Sequence, residues 1–347
     1  MLREQIIPAL SWSDKTMTVI KERQMEAWAN RLMETPDANI FSKCTDVEAQ
    51  ALWEQSYEWD SGFHNNEMID IQVMKTVVLA KLSREVHLLS FQEHTLIEQL
   101  LIEKGKLHLH DWEQAGAAES LVRRLWCNIA IEQEHIVLYL PSPLHEPLRQ
   151  GMDTPQHKEY REKIFRFGAT IHGLLYISGF MPLYEPMERF LADVVQQEDV
   201  LMEDLALRYF KASFDYVYTE KGELILVHPG LAEPDEIMYQ TGKTGFEVVE
   251  LSTEMMVGAM NELLPEEEML HRQMVASLKG NVRPEYDPKN VAQDLRLLAK
   301  QGAPLEGMKE VLHTTFSGYP NKASFVAVEA LWNQTPSWYG LGTMMKH

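Results

Sequence analysis

The sequence predicts a mainly α-helical protein that is interrupted by small β-hairpins. Two stretches share one layout, in which short helices precede two strands joined by a tight turn: a clearer copy at Pro186–His228 and a fainter one at about His94–Leu140. Apolar residues recur at helical spacing through most of the remaining chain. Beyond residue 246 no strand signal appears, which predicts an all-helical C-terminal part.

The N-terminal part of the chain predicts two helices around an irregular segment. Ser13 is a suitable N-cap for a helix that runs through Met33, and the following Pro36 cannot continue it. Residues 37–62 are irregular, but their tryptophans indicate a segment that packs down. Residues 66–89 have apolar side chains at helical spacing and form the second predicted helix.

The fainter copy has the full element order of a winged-helix unit. Its first helix, around Leu96–Leu101, ends at Gly105, and Asp111 with Gln114 resembles a capping box that opens two short helices. Those two helices are expected to break near Gly116. Strands are predicted at three places: Lys106–His110, Asn128–Glu132 and His135–Leu140.

The clearer copy follows a charged helix at Gln156–Ser178. Apolar residues at helical spacing predict a helix over 187–195, and Asp199 can cap a second helix. Gly222 supplies the positive φ that a bulged hairpin loop needs. The paired strands are predicted at Phe214–Tyr218 and Leu224–Val227.

The C-terminal part predicts five short helices, at Val248–Leu264, Glu266–Lys279, Pro288–Gln301, Glu306–Thr315 and Asn321–Trp332. The whole chain is therefore expected to contain four segments: a helical N-terminal region (1–90), a winged-helix-like unit (91–150), a second helix–hairpin unit that is also winged-helix-like (151–235) and a helical C-terminal domain (236–347).

The charge balance disfavours nucleic-acid and membrane partners. The chain has 52 acidic and 32 basic residues, a net charge of −20, which repels phosphate backbones and anionic lipid. Cys44 and Cys127 form no zinc-ligand spacing or disulfide framework and are interpreted as buried thiols in a reducing cytoplasm. No apolar run is long enough for a signal peptide or a membrane span.

Winged-helix units often bind DNA, which makes a DNA-binding regulator the main alternative. In the fainter copy the helix before the hairpin offers Arg123 and Arg124 as candidate nucleic-acid-binding residues. The clearer copy has four basic and ten acidic residues between Pro182 and Gly230, a net charge of −6, which suits phosphate poorly. The mildly basic tract His157–Arg166 alternates charges at helical spacing and is interpreted as an ion-paired surface.

No catalytic, cofactor or metal site is predicted. Glu-x-x-His is a spacing that can contribute metal ligands from one helix face, but its copies do not combine into a predicted site. His108 and His110 share one side of a predicted strand without a visible third ligand, and phosphate-binding glycine loops and the nucleophile elbow are absent. The three copies of the spacing are Glu132/His135, Glu268/His271 and Glu310/His313.

Two local resemblances accompany these patterns. His172–Pro182, the hairpin ending at His228-Pro229, and Asn333–Gly342 resemble segments of uncharacterised bacterial helical proteins with winged-helix character. Some of those proteins carry a cysteine-rich SEC-C zinc tail; this sequence has no such segment, so the resemblance implies no zinc function. Gly302–Leu331 is similar to the last helices of carboxymuconolactone decarboxylase-like proteins, whose peroxidase branch needs a CxxC motif that is missing here.

The sequence thus favours a cytoplasmic protein that works through protein–protein contact or regulation without catalysis or cofactors. The first alternative is a winged-helix DNA-binding regulator. The second is an enzyme with a helical hydroperoxidase- or decarboxylase-like C-terminal domain.

Overall fold

A computed structural model describes residues 71–109, 114–132, 135–195, 206–207, 209–211, 213–219, 221–231 and 252–338. The predicted helix Ser13–Met33, the segment 37–62 and the connector 232–251 lie outside these residues. The described part is mainly helical with two small three-stranded antiparallel sheets, which confirms the predicted fold class.

The described helices and strands have the following bounds. In order they are α1 (Ile71–Glu85), α2 (Phe91–Ile102), β1 (Lys106–His108), α3 (Gln114–Arg123), β2 (Asn128–Glu132), β3 (His135–Tyr139), α4 (Ser142–Met152), α5 (Pro155–Ser178), β4 (Phe180–Pro182), α6 (Tyr184–Phe190), β5 (Asp215–Tyr218), β6 (Leu224–Val227), α7 (Thr253–Met260), α8 (Glu268–Leu278), α9 (Pro288–Lys300), α10 (Leu305–Thr315) and α11 (Lys322–Gln334). A 3₁₀ turn, Val86–Leu88, separates α1 from α2, and a π-helical turn, Leu191–Val195, follows α6.

The chain divides into two compact units, and the boundaries between them fall inside α5, inside α6 and just before β5. Among the described residues, unit 1 contains 71–168 and 187–213, whereas unit 2 contains 169–186 and 214–338. Residues 151–235, predicted as one segment, therefore contribute to both units.

Unit 1 holds the first sheet, with strand order β1-β3-β2. Ser90 and Glu93 cap α2 with reciprocal side-chain to backbone hydrogen bonds. The prediction of two helices broken near Gly116 is wrong, because α3 runs through this residue without interruption. The alanines that surround Gly116 are strong helix formers and offset its low propensity. Asp111, the predicted cap, lies outside the described residues.

Unit 2 holds a second sheet with the corresponding strand order, β4-β6-β5. The hairpin of β5 and β6 is confirmed close to its predicted bounds, and Gly222 has a φ of 80° at its turn. The strand β4 was not predicted. It follows Gly179, which has a φ of 80°, and pairs with β6 through Met181 opposite Leu226.

The five predicted C-terminal helices are all present as α7 to α11. Helices α8 to α11 enclose an apolar core, with the following buried members: Met274, Leu278, Val291, Ala292, Leu295, Ala299, Met308, Leu312, Phe316, Val328 and Leu331. A second core cluster of unit 2 joins β4 and β6 to α5 and α9 and includes Tyr176 and Trp338. In the described ranges, no helix is both long enough and apolar enough to span a membrane.

Candidate functional site

Three polar side chains of unit 2 converge on one point. His172 lies on α5, His228 directly follows β6, and Glu262 follows the end of α7. The Nε2 atoms of His172 and His228 lie 3.0 Å and 3.1 Å from the same carboxylate oxygen, Oε1 of Glu262. The three ligand atoms all lie within 4.8 Å of one another. We call these three residues the His–Glu–His cluster.

The backbone holds Glu262 in a conformation that usually belongs to glycine. Its φ is 50°, and it ends α7 with the hydrogen bonds Glu262 N–H to Ala259 C=O and Leu263 N–H to Gly258 C=O, both 2.9 Å. The guanidinium of Arg296 donates to the carbonyl of Glu262 and braces this turn. A left-handed residue other than glycine is strained, and such strain is concentrated at functional sites.

The carboxylate of Glu262 is surrounded by hydrogen-bond donors. Besides the two imidazoles, the side-chain amide of Gln293 donates to Oε2 at 2.5 Å. Burial raises the pKa of Glu262, but the hydrogen bonds from His172 and His228 outweigh burial and hold the pKa well below its usual range. Glu262 is therefore an ionised carboxylate at neutral pH.

The two histidines differ in how exposed their side chains are, and the second ring nitrogen of His228 has a hydrogen-bond partner of its own. The Nδ1 atom of His228 accepts a hydrogen bond of 3.0 Å from the Gly230 backbone N–H, so the proton of the neutral ring belongs on Nε2, facing Glu262. Burial lowers the pKa of His228, whose side chain is 1% exposed. The side chain of His172 is 34% exposed and reaches solvent.

A buried charged network lies next to the cluster. The Tyr176 hydroxyl donates to Glu267 at 2.5 Å and accepts from Nε of Arg296 at 2.8 Å. Lys300 Nζ lies 2.8 Å from Glu267 and 4.3 Å from the centre of the Tyr176 ring. Burial lowers the pKa of Lys300 despite the nearby carboxylate, and burial followed by Glu267 raises the pKa of Tyr176 well above its usual value. One buried acid, Glu267, and two buried bases, Arg296 and Lys300, thus surround the side chain of Tyr176.

Trp338 closes one side of the site. Its indole N–H donates to the carbonyl of Tyr176 at 3.0 Å, and its ring centre lies 5.3 Å from that of His228. It also covers Gly179, where an added Cβ would lie 2.8 Å from the indole ring. The segments around His172, His228 and Trp338, which carry the resemblance described above, therefore meet at this site.

The candidate DNA-binding residue Arg124 is buried in unit 1. Its guanidinium lies 3.0 Å from Glu93 and 3.3 Å from Glu85, and all three side chains are at most 5% exposed. Ser120 donates to the same Glu93 carboxylate at 2.5 Å. Arg124 is therefore engaged inside the fold and does not face a phosphate backbone. The side chain of Arg123 lies outside the described part of the structure.

The Glu-x-x-His copies do not contribute to the His–Glu–His cluster. Glu268 is exposed and pairs with Arg272, and His271 instead lies 2.8 Å from the guanidinium of Arg296. Glu310 and His313 lie on the exposed face of α10. In the first copy the two residues, Glu132 and His135, pair where β2 joins β3. His108 belongs to β1, and His110 lies outside the described residues.

Sequence reasoning missed the His–Glu–His cluster because its members are far apart in the chain. His172 and Glu262 are separated by 90 positions, and His228 and Glu262 by 34. A local signal existed at His228, since a histidine there ends an apolar strand and precedes a Pro-Gly turn. No spacing rule connects that histidine to the other two residues.

The chemistry open to this arrangement is metal ligation or proton transfer, because imidazole and carboxylate serve both purposes. Comparison of the chain with known proteins found no matching family model, no matching curated protein and no matching solved structure.

Proposed function

We propose that unit 2 binds a divalent first-row transition-metal ion through the His–Glu–His cluster. The observation that carries this proposal is the convergence of two imidazole nitrogens and one ionised carboxylate oxygen within 4.8 Å. Two histidines and one carboxylate form a ligand set that suits Zn²⁺ and Fe²⁺ and is poorly suited to Mg²⁺ or Ca²⁺.

The distances between the ligand atoms support the proposal. A metal ion bound at ordinary lengths spaces neighbouring ligand atoms about 2.9–3.4 Å apart. The two histidine nitrogens lie 3.0 Å and 3.1 Å from the Glu262 oxygen, inside that interval. A metal ion would replace the hydrogen-bonded protons with little movement of His172 or Glu262.

Ligation by His228 requires a local change. Its Nε2 must give up its proton, and the neutral ring then carries a proton on Nδ1, facing the N–H of Gly230. One of these two donors must turn away, since neither can accept. We therefore expect the affinity to be lower than that of a site whose ligands are already in the metal-binding tautomer.

Three protein ligands leave room for a further ligand, as in catalytic rather than structural zinc sites. The 34% exposure of His172 and the 18% exposure of Glu262 give solvent access to the open side. When bound, such an ion polarises an oxygen ligand or lowers the pKa of a bound water. Arg296 would hold the Glu262 backbone in place, and Gln293 would orient the second carboxylate oxygen.

The experiment is a calorimetric titration of the metal-free full-length protein with Zn²⁺ at neutral pH. We expect one saturable site per chain, and we expect Glu262→Gln and His172→Asn each to weaken it by at least about ten-fold, the loss of roughly one ligand interaction. His313→Gln is the matched control because it removes an exposed histidine elsewhere in unit 2. Absence of saturable binding, or equal affinity in all four proteins, would refute the proposal.

The protein-interaction role expected from the sequence stays a prediction, as does a cytoplasmic location. Tyr319 is 82% exposed beside the rings of His313 and Phe325, and Val326 is 56% exposed, which favours contact with a partner. The DNA-binding alternative is weakened because Arg124 is buried between two glutamates.

A further inference from the structure

A concave site of about 560 Å³ lies in unit 1, between α2 and the N-terminal half of α5. It shares no residue with the His–Glu–His cluster. Its volume falls in the range of pockets that hold small organic ligands. The side chains that matter for its chemistry are Phe91, His94, Glu98, Arg161, Phe165 and Arg166.

One of the cations that line the pocket, Arg161, differs from the others in its ion pairing. On α5, Lys158 pairs with Asp153, Lys163 with Glu159 and Arg166 with Glu162, which agrees with the interpretation of this tract as an ion-paired surface. Within the described ranges, Arg161 makes no such ion pair. A guanidinium in this position presents parallel N–H donors that match a carboxylate.

Aromatic rings stand beside this cation. Phe91 is 60% exposed, and its ring meets that of Phe165 edge-on with the centres 5.2 Å apart. His94 lies edge-on to Phe165 at 5.9 Å and stacks on the buried His157 at 5.3 Å. The exposed ring of Phe91 leaves apolar surface in contact with water, and a planar ligand could cover that surface.

His94 and His157 add no positive charge beside Arg161. Burial lowers the pKa of both histidines, and the positive charge of Arg161 lowers both further, against the raising effect of Glu98 on His94. Both rings are neutral at pH 7 for this reason.

The acids at the rim limit the charge of the ligand. Glu98 lies 3.4 Å from His94 and Glu162 lies 3.1 Å from Arg166, and both carboxylates line the pocket. A phosphate or a polyanion carries more negative charge than a single carboxylate, so these two acids repel it more strongly, whereas Arg161 can balance the one charge of a carboxylate. We propose that this pocket binds a planar aromatic monocarboxylate, with its carboxylate on Arg161 and its ring against Phe91 and Phe165.

The test compares 2-naphthoate with its uncharged isostere 2-naphthamide by calorimetry on the full-length protein. We expect the acid to bind at least about ten-fold more tightly than the amide, the effect of one charge-assisted hydrogen-bonded pair. Arg161→Gln should abolish that preference, and Arg161→Lys should keep part of it.

Lys163→Gln is the matched control, because it removes one positive charge from the same helix at a residue that is paired with Glu159 and does not line the pocket. It should leave the preference within about two-fold, a change that is small on the scale of one hydrogen bond. The proposal is overturned if naphthoate fails to saturate at millimolar concentration, if the amide binds as well as the acid, or if Arg161→Gln and Lys163→Gln have equal effects. Thermal unfolding of each variant establishes that the mutated chain is folded.

Discussion

The left-handed backbone at Glu262 allows a test that separates strain from chemistry. Glu262→Ala and Glu262→Gly remove the same carboxylate and differ only in one Cβ atom. At a φ of 50° an L-residue costs about 1–2 kcal/mol relative to a right-handed conformation, and glycine escapes that cost. We therefore expect Glu262→Gly to be more stable than Glu262→Ala by about 1 kcal/mol.

The loss of the carboxylate adds a cost that both variants share. His228 is 1% exposed, and its Nε2–H would lose its acceptor, which costs roughly 1–3 kcal/mol, whereas the more exposed His172 can donate to water instead. Glu262→Ala should thus lose about 2 kcal/mol and Glu262→Gly about 1 kcal/mol. Glu262→Gln keeps an oxygen that faces His228 and should stay within about 1 kcal/mol of the wild type.

Urea unfolding followed by circular dichroism measures these differences as shifts of the transition midpoint. An alanine variant as stable as the glycine variant would show that residue 262 is not held in a left-handed conformation. Equal losses in all three variants would show that the negative charge, and not an acceptor for His228, provides the stability.

Two further predictions concern unit 1. Arg124→Ala should destabilise the protein by about 3–5 kcal/mol, because it leaves the charges of Glu85 and Glu93 buried and unpaired; a thermal midpoint equal to that of the wild type would contradict this. Burial, followed by the charges of its neighbours, lowers the pKa of His157 from 6.5 to about 4, so the unfolded chain binds a proton in this interval that the folded chain does not. The contribution of neutral His157 to the free energy of unfolding should be complete above pH 6.5 and should fall as the pH decreases towards 4. His157→Gln should therefore make the free energy of unfolding less dependent on pH in this interval. A pH dependence as steep as that of the exposed-site control His313→Gln would contradict the assignment.

Most of the fold could be predicted because apolar residues recur along its helices and strands at the spacing typical of each. The hairpin of β5 and β6 and the helices α8 to α11 follow such periods over several residues. The strand β4 could not be recognised in this way, since three residues are too few to show alternation and one of them, Pro182, usually argues against a strand. Its position becomes evident only when β6 supplies a partner.

The candidate site could not be predicted for a related reason. Glu262 was expected inside a helix that runs to Leu264, but α7 ends at Met260, and this earlier end turns the carboxylate towards the histidines. Arg124 was interpreted as a groove-facing residue. Its two acidic partners could not be recognised from the sequence, because they lie 31 and 39 positions earlier in the chain. Pairings of this kind depend on tertiary structure, which local spacing does not reveal.

The long reach of the contacts around Tyr176 has a consequence for the order of folding. The phenol of this residue is joined to Glu267 across 91 positions and to Arg296 across 120, and its carbonyl is joined to Trp338 across 162. Closing such loops costs conformational entropy before any contact can repay it, so these contacts form late, after local helices and hairpins. Until then the C-terminal half of α5 would carry His172 and Tyr176 without the charges that later surround them, and the site would be among the last parts of the molecule to mature.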